Sequence, residues 1–201
     1  MKRWTNSFVV ILVLLVGCGG APELTRIPLG GTILAFGDSL TYGTGVSAEH
    51  SYPRLLANLT GREVVRSGVP GETTSEGLLR LPKALVEHQP DLVILELGGN
   101  DILKRGNKQT AKANLKKMIA MIRDHGAQVL LVGVPEFGLI PGTAEFYLEL
   151  EEELEVASEN KVVAKLMRDS SMKSDAIHFN AEGYQAMATA IYEKLTDLGA
   201  L

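Results

Sequence analysis

Apolar residues recur along this chain with two different periods. Short, nearly continuous apolar runs fall at Thr32–Phe36 (TILAF), Val64–Val65, Asp91–Leu97 (DLVILEL) and Gln128–Val134. Such runs predict strands, buried at Thr32–Phe36 and, for the nearly continuous Asp91–Leu97, covered on both faces. Between them the spacing is helical. In Gln109–His125, Leu115, Met118, Ile119 and Ile122 share one stripe, and Gly126 ends the helix. Other helices are predicted from a Ser51 cap to Leu59, with Pro53 in the first turn and Gly61 as the stop, and from just after Gly71, where Thr73 and Glu76 have capping-box spacing. Pro82 is expected to kink or split the second of these. Phe146–Leu154 and Lys161–Arg168 also read as helical, a fifth short strand is expected near Val156, and Asn180 caps a last helix ending near Leu195. Strands alternating with helices, without a β-hairpin signal, predict a three-layer α/β/α sandwich on a parallel sheet.

The first residues follow another pattern. Lys2 and Arg3 precede an unbroken apolar stretch, Phe8–Val16, well short of the roughly 20 residues that a spanning helix needs. It ends in Leu15-Val16-Gly17-Cys18, which resembles the bacterial lipobox, and Cys18 is the only cysteine, so no internal disulfide can form. The resemblance implies that residues 1–17 are a signal peptide, cleaved before a Cys18 that carries a diacylglyceryl thioether. Two or more acyl chains anchor stably where one does not. Residues 18–31, rich in Gly and Pro, read as the lipidated cysteine and its tether, and 32–201 as the domain. The expected location is the bacterial cell envelope, on the periplasmic face. Gly19 after the lipidated cysteine, instead of Asp, favours an outer membrane where the host has one.

Composition narrows the function. The 201 residues are 45% hydrophobic and 22% charged, with a formal net charge of -4. That suits one soluble domain and argues against nucleic acid as a partner. A basic run, Lys104–Lys117, and an acidic run, Glu145–Glu159, read as solvated helix faces. No His, Cys or Glu cluster has metal-ligand spacing, so no metal and no cofactor are expected. A monomer is expected.

In a parallel sheet the loops at the carboxyl ends of the strands converge on one edge, where ligands bind. Ser39 follows the first strand, Gly71 the second and Asn100 the third, and His178 lies in the last loop. Acyl transfer from an ester requires a nucleophile, a base, a group that orients the base, and donors for the oxyanion. Ser39 suits the first role and His178 the second, with Asp175 three residues earlier to hold the other imidazole nitrogen. Gly71 offers a backbone N–H and Asn100 a side-chain amide. Among the four histidines, His88 and His125 stand at helix ends and His50 beside a cap; only His178 has an Asp at i−3 in a loop that feeds a helix. Thr41 stands where a Gly-x-Ser-x-Gly elbow needs glycine, so that motif is absent. Asp38 and Asp101 are read as turn-holding residues.

The stretches GDSLTYG, GVPGETT, LGGND and DAIH resemble the four sequence blocks of the SGNH, or GDSL, hydrolases, over Ile33 to Leu195. The resemblance implies a flavodoxin-like sheet of about five parallel strands. It implies Ser39 as nucleophile, an oxyanion hole formed by the Ser39 N–H, Gly71 and Asn100, and a triad completed by Asp175 and His178. The blocks are most similar to the bacterial lysophospholipase, acyl-CoA thioesterase and arylesterase branch. The implied activity is hydrolysis of small esters, thioesters or lysophospholipids through an acyl-serine. Its alternatives are deacetylation of envelope polysaccharide on the same fold, or an inactive lipid-anchored binding module. Pro70 before the oxyanion glycine and Phe179 after His178 depart from the family pattern. Pro70 could stiffen its loop, and Phe179 could lean on an acyl pocket. Val69, Ile102, Leu103, Phe137, Leu139 and Ile140 are candidates to line that pocket, or equally to belong to the core.

Overall fold

The computed structural model describes residues 23–136 and 142–201. Cys18 and the signal segment, and Phe137, Leu139 and Ile140, lie outside the described residues. In chain order the elements are β1 (Thr32–Gly37), α1 (Ser39–Tyr42), α2 (Tyr52–Thr60), β2 (Glu63–Gly68), α3 (Thr74–His88), β3 (Leu92–Glu96), α4 (Gly99–Leu103), α5 (Lys108–Asp124), β4 (Gln128–Val132), β5 (Pro135–Glu136), β6 (Gly142–Thr143), α6 (Glu145–Leu154), β7 (Ala157–Glu159), α7 (Val162–Met167) and α8 (Ala181–Asp197).

The sheet has the order β2-β1-β3-β4-β7, and every pairing is parallel. The central strand β3 is buried at all five positions, as its continuous apolar run requires. From β1 the chain crosses outward to β2 and then back past β1 to β3. The loops after β1 and β3 therefore part at a topological switch point, where an open sheet leaves a crevice. Helices α3 and α5 pack together, as do α2 and α8. The predicted stripe of α5, Leu115, Met118, Ile119 and Ile122, is buried.

The structure departs from the sequence reading in several places. Helix α3 runs unbroken through Pro82. Its start is fixed by a capping box between Thr73 and Glu76, and Gly77, Leu81, Ala84 and Leu85 are buried along one face. That packing outweighs the single backbone bond a proline removes. The Ser51 hydroxyl does not cap α2; it donates to the Ala48 carbonyl at 2.7 Å. A short antiparallel ladder pairs β5 with β6, too brief to leave an alternating pattern. The two charged runs meet each other: Lys112 pairs with Glu149 and Glu153, and Lys116 with Glu153, between α5 and α6.

The largest departure concerns the tether. Residues 24–31 are docked on the domain. Leu24 N–H donates to the Leu198 carbonyl and Ile27 N–H to Ala200, both at 2.8 Å. Ile27 is buried, and its carbonyl accepts from Nε and Nη2 of the buried Arg62 at 3.1 and 2.8 Å. The Gln128 side chain, at the start of β4, donates to the Thr25 carbonyl at 2.8 Å. Among the described residues, contacts with the domain thus reach back to Leu24.

Candidate active site

The loop after β1 is shaped by close backbone approach. A Cβ at Gly37 would run into the Glu96 carbonyl and the Thr41 hydroxyl, and one at Gly68 into the backbone of Asp38, Thr41 and Tyr42. Only glycine lets the ends of β1 and β2 lie against the first turn of α1. Asp38 caps that turn, its Oδ1 accepting the Leu40 N–H at 3.2 Å. Ser39 is the first helical residue, half-buried at the sheet edge.

The last loop brings His178 to it. Phe179 is fully buried and meets Tyr184 edge-on, with ring centroids 5.6 Å apart. It belongs to the core beneath the loop, and not to a substrate pocket as the sequence suggested. Ser174 N–H donates to the His178 carbonyl at 3.0 Å, and Asn180 Oδ1 accepts the Gly183 N–H at 2.9 Å to start α8. Between these fixed points the imidazole Nε2 lies 3.1 Å from Ser39 Oγ, and Nδ1 lies 2.7 Å from Asp175 Oδ2. Asp175 Oδ1 also accepts the backbone N–H groups of Ile177 and His178, each at 2.8 Å. The His178 side chain and these backbone donors hold the Asp175 carboxyl down to about 2. An ionised carboxylate only accepts, so Nδ1 carries a proton toward Asp175, and in the neutral ring Nε2 faces Ser39 as the acceptor.

Asn100 stands in α4, after β3. The Tyr147 hydroxyl donates to the Leu97 carbonyl at 2.8 Å and steadies the chain just before the turn. Asn100 Nδ2 lies 3.0 Å from Asp38 Oδ2 and 3.0 Å from the Glu72 carbonyl oxygen. The amide therefore joins all three loops, those after β1, β2 and β3. Gly71 adopts φ +82°, a left-handed conformation suited to glycine, and its carbonyl accepts from Lys104 Nζ at 3.0 Å. Glu72 is buried and takes two hydrogen bonds from Arg80, from Nε at 2.7 Å and Nη2 at 2.6 Å. The same guanidinium lies 3.9 Å above the Phe36 ring and bonds Ser67 Oγ at 2.6 Å.

Two acids behave differently from the sequence reading. Asp101 does not hold its own turn; its carboxylate reaches α3 and accepts the Thr74 N–H at 2.8 Å and the Thr74 hydroxyl at 2.7 Å. Asp38 holds its turn and also reaches Asn100. Burial pushes its carboxyl up to about 6, against the opposing pull of the Leu40 N–H and of His178. Glu96, unremarked in sequence, is fully buried below. Its Oε2 accepts the Thr41 hydroxyl at 2.9 Å, and Oε1 has no partner among the described residues. Burial, with Asp38 alongside, moves its carboxyl well above the ordinary range. One signal was available: an acid inside the otherwise apolar run DLVILEL.

A cleft opens beside Ser39 and Asn100, with apolar walls from Leu103, Val134, Pro135, Val163, Met167 and Ile177. Of the described pocket candidates, Leu103 lines it. Val69 is exposed in the loop after β2, outside the cleft lining, and Ile102 is packed partly against the core. Pro70 is exposed beside Gly71.

Comparison with known proteins gives a consistent result. The family model described as "GDSL-like Lipase/Acylhydrolase family" matches residues 35–186. The chain is 40% identical over 114 residues to an arylesterase of Vibrio mimicus, covering 53% of this chain and 57% of that protein. It is 36% identical to Esterase TesA of Pseudomonas aeruginosa, covering 63% and 67%. It is 32% identical to Thioesterase 1/protease 1/lysophospholipase L1 of Escherichia coli K12, covering 66% and 60%. The matched segments thus span from just over half to two thirds of these relatives. The crystal structure of TesA superposes with a TM-score of 0.75 at 26% identity, covering 83% of this chain and 99% of that one.

Proposed function

Because the chain belongs to the GDSL-like lipase/acylhydrolase family, we propose that it hydrolyses carboxylic esters or thioesters through an acyl-serine intermediate. The observation that carries this reading is the hydrogen-bonded line from Ser39 Oγ through His178 to Asp175. Ser39 Oγ attacks the carbonyl carbon while His178 Nε2 takes its proton, and Asp175 holds the imidazole in the tautomer that can do so. The Ser39 and Gly71 N–H groups receive the negative charge that develops on the carbonyl oxygen, together with Asn100 Nδ2 once it exchanges one of its two present acceptors, Asp38 Oδ2 or the Glu72 carbonyl, for that oxygen. His178 then protonates the leaving alcohol or thiol, and water, deprotonated by the same nitrogen, releases the acid. The apolar cleft walls suit the acyl chain.

The test is a panel of aryl and thioester substrates from acetyl to palmitoyl, run with a fluorophosphonate probe on wild type and Ser39→Ala. Acyl hydrolysis with labelling confined to Ser39 is expected. A folded Ser39→Ala protein that keeps more than a few per cent of kcat, judged by triad enzymes in general, places the nucleophile elsewhere.

We further propose that Cys18 is lipidated after removal of residues 1–17, which anchors the enzyme in the bacterial envelope. The lone cysteine after the Leu15-Val16-Gly17 sequence supports this. Cys18→Ser should leave the membrane fraction with its specific activity unchanged. A mutant still firmly bound would make Phe8–Val16 an uncleaved anchor.

A further inference from the structure

We propose that the cleft mouth of the anchored enzyme is held off its own membrane, so that it takes water-soluble esters and thioesters and not acyl chains embedded in the leaflet that holds Cys18. This inference rests on the lipidation of Cys18 proposed above. Its basis is where the chain enters the fold. Leu24, Thr25 and Ile27 bond to Leu198, Gln128 and Ala200. Gln128 opens β4, and Thr32, which opens β1, exchanges hydrogen bonds with Asp91 just before β3. All of these belong to the amino edge of the parallel sheet. Ser39, Gly71 and Asn100 follow the carboxyl ends of β1, β2 and β3, at the opposite edge.

Lengths decide the rest. The six residues of β1 alone separate the two edges by roughly 20 Å, and a domain of this size is about 40 Å across. From Cys18 to the docked Leu24 the chain can extend no more than about 20 Å. That leash can rest on the amino edge or along a flank, but it cannot carry the lipid to the cleft mouth. The amino edge also suits a headgroup layer: Leu29 is 76% exposed there, close to exposed Arg26. A Gly/Pro tether free as far as Thr32 would have allowed the domain to turn over. Docking of residues 24–31 forbids it.

The experiment uses the lipidated full chain in proteoliposomes. Cys18 is the sole cysteine and its sulfur is consumed by the lipid, so a single fluorophore can be placed through Gly30→Cys at the amino edge or Val69→Cys just after β2, at the carboxyl edge. Energy transfer to acceptor lipids should be strong from position 30 and weak from position 69; equal or reversed transfer overturns the proposal. In a second arm, about 25 Gly/Ser residues are inserted between Ala21 and Pro22. The substrates are a soluble aryl ester and a phospholipid-borne fluorogenic ester that the released domain cleaves in detergent micelles. The longer leash should raise cleavage of the embedded ester tenfold or more, because effective concentration is near zero when a linker cannot span, and leave the soluble ester unchanged. Native-leash cleavage within threefold of the long-leash rate overturns the proposal. Failure to float with vesicles refutes lipidation itself, and with it this inference. Inactivity on both esters refutes the esterase reading, while energy transfer still decides the orientation.

Discussion

The Asn100 amide nitrogen lies 3.0 Å from a carboxylate oxygen of Asp38, the residue immediately before Ser39. Its other acceptor is the Glu72 carbonyl, also at 3.0 Å. The residue proposed to stabilise the oxyanion is thus held between the loop of Ser39 and the loop of Gly71. An amide nitrogen has two N–H donors and these acceptors engage both, so one of the two bonds is exchanged for the oxyanion as charge develops.

Asn100→Ala should lower kcat by roughly 10²–10³ with little change in KM, the loss expected for one oxyanion donor. Asn100→Asp should be as damaging or worse, since it sets a second carboxylate against Asp38. Steady-state kinetics with thermal melts decide this, and a folded Asn100→Ala enzyme within threefold of wild-type kcat removes Asn100 from the oxyanion hole.

Asp38 makes a prediction about pH and stability. Burial raises its carboxyl in the folded protein from the ordinary value to about 6, so between about pH 4 and pH 6 the native state binds more protons than the unfolded chain. Stability contributed by this group therefore falls as pH rises through that window. Asp38→Asn should flatten the profile there, removing a change on the order of 1–3 kcal/mol at about 1.4 kcal/mol per pKa unit. Denaturant melts of both proteins at pH 4 and pH 7 measure it; an unchanged slope contradicts the assignment.

Asp175 works in the opposite direction. Its carboxyl is held down to about 2, so the contact with His178 is fully present above the ordinary carboxylate range and fails only as pH falls toward 2. Asp175→Asn lets the ring take the other tautomer, with Nε2 protonated toward Ser39. A loss in kcat of about 10⁴ is expected by analogy with other triads. Fluorophosphonate labelling of Ser39 should slow in parallel; unaltered labelling would show that the tautomer does not depend on Asp175.

Arg80 touches no substrate position, yet it holds the loop that holds Asn100. Arg80→Ala leaves the buried Glu72 carboxylate uncompensated and should destabilise the protein by about 3–5 kcal/mol. Arg80→Lys should recover only part of this, because an ammonium cannot supply the forked pair to Glu72 together with the bond to Ser67. Full recovery in a chemical denaturation series would contradict the forked geometry as the cause.

What sequence can and cannot reveal follows from range. Strand ends are legible because Gly37, Gly71 and Gly98 interrupt apolar runs within a few residues, and Asp175 lies three residues from His178. The Thr73–Glu76 capping box is equally local. Asp101 reads as a turn residue because nothing nearby reveals that its partner is Thr74, 27 residues earlier. Residues 24–31 read as tether because composition cannot show acceptors supplied by Leu198 and Ala200 at the far end of the chain. Phe179 reads as a pocket residue because adjacency to His178 does not show which way a ring points, and here it points into the core.

The glycines beneath Ser39 set bounds on directed evolution of the proposed activity. At Gly37 and Gly68 any side chain meets backbone atoms, which cannot step aside, so a randomised library gains nothing from these positions. Gly71 has open space around it, and there the left-handed φ is the restriction, with Asn and Asp the least strained replacements. Useful diversity is confined to the cleft walls, at Leu103, Val163, Met167 and Ile177. Selection for a longer or bulkier acyl group should accumulate its changes there while the floor under Ser39 stays invariant.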